Sequence, residues 1–440
     1  MGTRERGRVS TLAAGDSRSA ALYERARKVL PGGVNSPVRA MRAIGRDPIF
    51  VASAQGPMLT DVDGNEYVDW VCSWGPLILG HSDAEVLAAI DAAAARGTTY
   101  GAPTEGEVAL AETVAARIPS VEMIRMTSSG TEAAMSAIRL ARAVTGRTKL
   151  LKFAGAYHGH VDGLLAEAGS GLATQAIPSS PGVPEAATAA TVIVPWNDAE
   201  AVWHAAGRDR FAAILVEPVP ANMGVVPAHE GFLRSLREAA DDSGALLVFD
   251  EVITGFRVAR GGAQEHYDVL PDLTVMGKIV GGGLPAAAYG GARELMDQIA
   301  PAGDVYQAGT LSGNPLAVAA ALVTLRRLDD GAYAQLADTT QALAHGLREA
   351  ADGAGCAVQV QTVPGLLTVF FSDRPVADYA GAAACDLQAY GTWCRALLAR
   401  GVYPPASQFE AWFPSLAHGP EQIDRTVAAA AQAFAEVVAA

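Results

Sequence analysis

The stretch ALLVFDEV, Ala245 to Val252, decides the fold. Ala245 to Phe249 is apolar without alternation, the pattern of a strand covered on both faces, and the run delivers Asp250 and Glu251 at its end. Lys149–Phe153, Thr191–Val194, Ala213–Val216 and Leu273–Met276 are further short β-rich runs. Between such runs lie stretches of helical period. In GFLRSLREAADDSG, for example, Phe232, Leu233, Leu236 and Ala239 fall on one helical face. Strands alternating with amphipathic helices over residues 80–320 predict an α/β domain on a mostly parallel sheet, with ligands at the carboxyl ends of the strands. The ends of the chain read differently. Helices are expected over 324–353, 386–401 and 420–438, with short strands in VQVQTV and LLTVFF. The expected division is 1–75 as the N-terminal segment of a smaller α+β domain, 76–320 as the large domain, and 321–440 as the C-terminal part of the smaller one.

Composition narrows the functional classes. Half of the 440 residues are hydrophobic, too many for a largely disordered chain. Thirty-three basic residues against 47 acidic ones give a net charge of −14, and no basic run offsets it, so nucleic acid is not an expected partner. The four cysteines, Cys72, Cys356, Cys385 and Cys394, form no C-x-x-C pair and signal neither a zinc site nor a disulfide framework. The most apolar run, PLAVAAALVTL, is short for a membrane span and meets Arg326 and Arg327. The first thirty residues lack the apolar core of a secretory signal. A cytoplasmic protein without a membrane partner is expected.

Four pieces carry chemistry. Asp250 stands at a strand end, and Lys278 of LTVMGKIVGGG follows another β-run in a glycine-rich bend. A buried lysine can form an imine, and an aspartate can hold a protonated pyridine nitrogen; a structural salt bridge would use the same two residues. A P-loop reading of the Gly277–Lys278 pair fails, because Asp272 occupies the first glycine position and Ile279 the Ser/Thr position. In MTSSGTEAAMSAIRLARAVTGR, Ser129, Gly130 and Thr131 precede a helix with an apolar face of Ala134, Met135, Ile138 and Ala141, and Gly146 suits its end. Hydroxyls and free N–H groups at a helix start make an anion site, although ordinary N-capping explains the same residues. Gly309 and Thr310 of GTLSGNPLAV again precede a helix. In AYHGH, Tyr157 could stack a flat ring. His158 and His160 have metal-like spacing on a strand, but no further ligand signature accompanies them, and no metal is expected.

SSGTEA, AYHGH, FDEV, GKIVGGGLP and GTLSGNP, in this order, resemble the class III aminotransferases of fold type I, which use pyridoxal 5′-phosphate and its pyridoxamine form. PGGVNSPVRA (31–40), SWGPLILGH (73–81), RGTTYGAPTEGE (96–107), AEAGSG (166–171), NMGVVP (222–227) and SQFEA (407–411) are similar to the branch of glutamate-1-semialdehyde aminomutases. The resemblance implies an isomerase that makes 5-aminolevulinate for tetrapyrroles by exchange within one molecule, in a homodimer with shared sites. It further implies that Lys278 carries the cofactor and moves protons, that Asp250 binds the pyridine nitrogen, and that Val252 packs under the ring opposite Tyr157. Ser129, Gly130 and Thr131 would hold the phosphate together with Thr310 from the neighbouring subunit. Ser36, Arg39 and Trp74 would line the substrate pocket, with Arg39 on the carboxylate. Glu410 would meet the substrate amine, and Ser170 would sit on a long loop, 158–191, that closes the site. Ala154, Ala156, Ala221 and Trp412 depart from the family pattern. Trp412, two residues from Glu410, is expected to reshape the pocket, which would favour an aminotransferase of altered specificity.

Overall fold

The computed structural model describes residues 17–166 and 180–440. Strands β1 (Val51–Gln55), β2 (Met58–Asp61) and β3 (Glu66–Asp69) form an antiparallel meander. The central strands follow as β4 (Met123–Thr127), β5 (Lys149–Phe153), β6 (Thr191–Val194), β7 (Phe211–Val216), β8 (Leu246–Glu251), β9 (Leu273–Met276) and β10 (Ala287–Gly291). A hairpin, β11 (Gln359–Val363) and β12 (Leu366–Phe370), precedes β13 (Val402–Tyr403), which pairs in parallel with β3. Residues from near both ends of the chain thus share one small sheet.

The central sheet has the order β4-β10-β9-β8-β7-β5-β6. From β6 to β9 all neighbours are parallel, while β10 runs against both β9 and β4. The longer helices are α1 (Ser17–Ala26), α2 (Ala84–Ala94), α3 (Glu105–Ala115), α4 (Gly130–Thr145), α5 (Ala199–Arg208), α6 (Phe232–Ser243), α7 (Pro315–Arg327), α8 (Asp330–Ala354), α9 (Leu387–Leu398) and α10 (Pro420–Ala439).

Successive residues of β8 point to opposite faces. Leu247 and Phe249 join a core with Phe232, Leu233 and Leu236 of α6, whereas Val248 joins one with Ala133, Ala137 and Leu140 of α4. Helices on both faces explain why the run is apolar throughout. The same alternation separates the Asp-Glu pair. Asp250 faces a cavity, while Glu251 is fully buried and accepts hydrogen bonds from Thr254 Oγ1 at 2.9 Å, Ala263 N at 2.6 Å and Gln264 Nε2 at 3.0 Å.

Two expectations change. The helix read over 324–353 is two helices, because Asp329 starts α8 anew by accepting from the N–H of Ala332 at 2.9 Å. His158 and His160 lie beyond the end of β5 in irregular backbone, so strand alternation does not set their spacing. The 158–191 segment holds a short 3₁₀ turn, Asp162–Leu164, and one helical turn, Glu185–Thr188; Ser170 lies outside the described residues. Among the described residues, no helix is long and apolar enough to cross a membrane.

Candidate active site

The carboxyl ends of β5, β7, β8 and β9 and the start of α4 converge on a cavity of about 150 Å³. Gly130, Thr131, Tyr157, Glu217, Asp250, Val252 and Lys278 are on its wall. Residues from five segments spread between 130 and 278 meet there because parallel strands deliver all their carboxyl ends to one edge.

Asp250 is 5% exposed. Its Oδ2 lies 2.8 Å from His158 Nδ1, and its Oδ1 accepts from the N–H of Val252 at 3.1 Å. Burial lowers the pKa of His158, although Asp250 pulls the other way. A neutral imidazole would donate from Nδ1 to Asp250, and among the described residues His158 Nε2 is buried without a partner. Lys278 opens a 3₁₀ turn, Lys278–Gly281, with φ +50, a left-handed conformation unusual for a side chain this large. Burial lowers its pKa, and Arg257 adds to that, against the opposing pull of Glu410, Asp250 and Glu217. A lysine depressed in this way spends more time as the free amine, the nucleophilic and proton-accepting form.

Tyr157 and Val252 both face the cavity. A Cβ on Gly130 would meet Val252 Cγ2 at 3.1 Å, and one on Gly277 would meet Val252 Cγ1 at 3.2 Å. At Gly159, φ is +83 and a Cβ would stand 2.5 Å from Thr131 Oγ1, so a side chain there would push into the start of α4. Ser129 caps α4, accepting from the N–H of Glu132 at 3.3 Å, and is exposed beside the cavity rather than on its wall.

Sequence reasoning missed five residues of the wall, His158, Gly159, Glu217, Asn222 and Ile253. Glu217 ends the fully buried β7 run; its Oε1 accepts from the N–H of Tyr157 at 2.8 Å and its Oε2 from Asn222 Nδ2 at 2.8 Å. Burial and the nearby Asp250 push its carboxyl up to about 8. A charged residue closing an apolar run at the ligand edge was the available signal. Asn222 was read only as part of a motif, and His158 only as a weak metal ligand.

Ser36, Arg39, Trp74 and Glu410 are not on that wall. Ser36 precedes the 3₁₀ turn Pro37–Ala40, Arg39 is exposed and Trp74 half-buried, while the charge of Glu410 reaches both Lys278 and Tyr157. Thr310 is exposed on a separate groove with Tyr100, Thr104 and Glu107, apart from its own chain's Lys278. Trp412 corrects the expectation placed on it. It is fully buried among Trp70 and Trp393, its N–H and carbonyl bridging to Leu367, and it is not on the wall of the cavity. Ala156 and Ala221 are also core residues.

The family described as aminotransferase class-III matches residues 41–432. A protein of Syntrophobacter fumaroxidans named glutamate-1-semialdehyde 2,1-aminomutase is 55% identical over 423 residues, 96% of this chain and 98% of its own. Among solved structures, an omega-transaminase from Sphaerobacter thermophilus has a TM-score of 0.88 at 35% identity, covering 95% of this chain and 97% of its own. A glutamate-1-semialdehyde aminomutase from Pseudomonas aeruginosa PAO1, with one lysine replaced by alanine and in complex with PMP, has a TM-score of 0.84 at 27% identity, covering 96% of this chain and 94% of its own.

Proposed function

We infer from a chain that belongs to the class-III aminotransferase family, and from its 55% identity to a named relative over nearly the whole length, that it is a glutamate-1-semialdehyde 2,1-aminomutase. It is an isomerase: the amine of glutamate 1-semialdehyde moves to the neighbouring carbon, giving 5-aminolevulinate for tetrapyrrole synthesis. The observation that carries this reading is one cavity holding Asp250, Lys278, Tyr157 and the start of α4. Loss of pocket shape through Trp412, the reason to favour an altered specificity, has no support once Trp412 lies in the C-terminal core.

Pyridoxal 5′-phosphate, or its pyridoxamine form, fits these residues, and when bound it supplies the electron sink that acidifies the carbon bearing the amine. Asp250, held in place by His158 and the N–H of Val252, would hold a proton on the ring nitrogen. Tyr157 and Val252 would take its two faces. Gly130 and Thr131, with Ser129 at the cap, would hold the phosphate by the free N–H groups of α4. Lys278, with its amine depressed by burial, would accept a proton at one substrate carbon and return it at the other. Arg39 would bind the substrate carboxylate, with Ser36 and Trp74 beside it, and Glu410 would face the amine. Ser170 is proposed on the resemblance alone. The four unpaired cysteines agree with a reducing, cytoplasmic setting. The chemistry is tested by one substrate: glutamate 1-semialdehyde without any second amino donor should yield 5-aminolevulinate over many turnovers.

A homodimer with shared sites is part of the proposal. The groove carrying Thr310 also exposes Tyr100, at 49%, and the neighbouring Tyr306 and Leu311 are 71% and 51% exposed, an apolar face that a second copy would cover. Thr310→Glu should repel the phosphate in the partner's site, and Lys278→Ala should remove the proton carrier, so each homodimer should be inactive. Mixed under exchange conditions, the two variants form heterodimers in which one site combines an intact Lys278 with an intact Thr310. Activity should return up to one working site per heterodimer. Verified heterodimers that stay inactive, beside a wild-type control that survives exchange, would mean that Thr310 serves its own chain.

A further inference from the structure

Arg257 lies in the turn after β8 and is 1% exposed. Among the described residues, its hydrogen-bond partners are three main-chain carbonyls and no carboxylate. It donates through Nη2 to Gly75, and through Nη1 to Gly365 and to Pro414 at 3.2 Å each. Its Cζ stands 5.1 Å from the centre of the Phe413 ring. A buried guanidinium without a counter-charge is expensive, and burial pushes its pKa down to about 10. The three carbonyls belong to segments far apart in the chain, and two of those segments border residues assigned to substrate. Gly75 follows Trp74, and Pro414 closes the run that begins at Glu410.

The Gly75 side of this clasp is held in an unusual backbone. Cys72, Ser73 and Trp74 have φ of +46, +58 and +69, and Gly75 has φ of +107. Three successive side-chain-bearing residues in the left-handed region cost energy and persist only where the surroundings fix them. A Cβ on Gly75 would meet Phe413 at 2.7 Å, and one on Gly365 would meet Arg257 Cγ at 3.0 Å, so all three segments close tightly on the guanidinium. The turn that carries Arg257 begins with Val252 and Ile253, both on the wall of the cofactor cavity. A single side chain therefore links the cofactor strand to both substrate-side segments.

We propose that Arg257 is a positioning residue that sets where Trp74 and Glu410 stand relative to Lys278. The assignment rests on the aminomutase reading for what those residues touch. The planar fork spans carbonyls that an ammonium cannot reach together, so geometry and charge can be separated by substitution. Arg257→Lys keeps the charge and loses the fork; Arg257→Met keeps most of the stem and loses both. Phe413→Leu loosens the clasp while leaving the guanidinium in place, and serves if either arginine variant does not fold.

Three readouts decide the matter: the KM and kcat for glutamate 1-semialdehyde, cofactor content, and the pH midpoint of the absorbance change when bound pyridoxal phosphate titrates with Lys278. The groups acting on Lys278 are Glu410, Asp250, Glu217 and Arg257. All three variants should retain full cofactor content. KM should rise about tenfold, the scale of losing one charge-assisted hydrogen bond, with kcat changed far less. The pH midpoint should fall in Arg257→Lys and Phe413→Leu, where the cation stays but Glu410, whose charge raises Lys278, is displaced, and should lie higher in Arg257→Met than in Arg257→Lys, because a like charge is lost as well. An unchanged KM in the folded variants would overturn the proposal, as would loss of cofactor in step with KM, which marks a merely structural role. Wild-type protein without aminomutase activity would remove the functional reading instead, and is recognised before any variant is made.

Discussion

Replacement of Lys278 by alanine should leave the pyridoxamine form bound and stop the amino exchange. The remaining wall, from Tyr157 and Val252 to the start of α4, is untouched by the substitution, so binding should persist. Among the described residues, no other lysine or arginine lies on the cavity wall, and its acids are committed elsewhere: Asp250 to His158 and Val252, Glu217 to Tyr157 and Asn222. Turnover should fall by about 10⁴-fold, the upper range for one positioned proton carrier. Cofactor absorbance measured beside steady-state rates checks both halves, and near-normal activity in the variant would remove Lys278 from the chemistry.

Asp250→Asn should be nearly as damaging, for a different reason. The carboxylate accepts from Val252 N–H and faces His158 Nδ1, and both contacts suit an anion. An amide carries no charge to favour a proton on the ring nitrogen, and its NH₂ would turn a donor toward one of these donors. Catalysis should drop by about 10³-fold while cofactor affinity changes far less. The comparison to make is kcat against the cofactor dissociation constant. Near-normal rates would reduce Asp250 to a structural partner of His158.

Much of the fold could be read because its burial is symmetrical. The runs of β7 and β8 are apolar on consecutive residues since helices cover both faces, and that pattern is visible without a structure. Asp250 and Lys278 stood out because polar side chains ending such runs must face the ligand edge. Strands β4 and β10 escaped notice. In β10 the sequence AAYGG lacks bulky β-formers, since Gly290 and Gly291 lie against the main chain of Met123 and Asp272, where a Cβ would come within 2.6 and 2.5 Å. The cofactor-side wall was legible because it is built at strand ends. The placement of the segments around Trp74 and Glu410 was not, because it depends on the left-handed Cys72–Gly75 run and on a buried arginine whose hydrogen-bond partners among the described residues are carbonyls. Main-chain carbonyls leave no mark in a sequence. The same holds for Trp412, whose position beside Glu410 in sequence gave no hint that β12 pulls it into the opposite core.

The central claim is that donor and acceptor carbons belong to one molecule. It is tested most directly by incubating the cofactor-loaded protein with glutamate 1-semialdehyde as the sole amine source and counting 5-aminolevulinate formed per site. The account predicts continued formation over many turnovers without any added amino acid or keto acid. Product that stops at about one equivalent per site, and resumes only when a second amino donor or acceptor is supplied in stoichiometric amount, would contradict it.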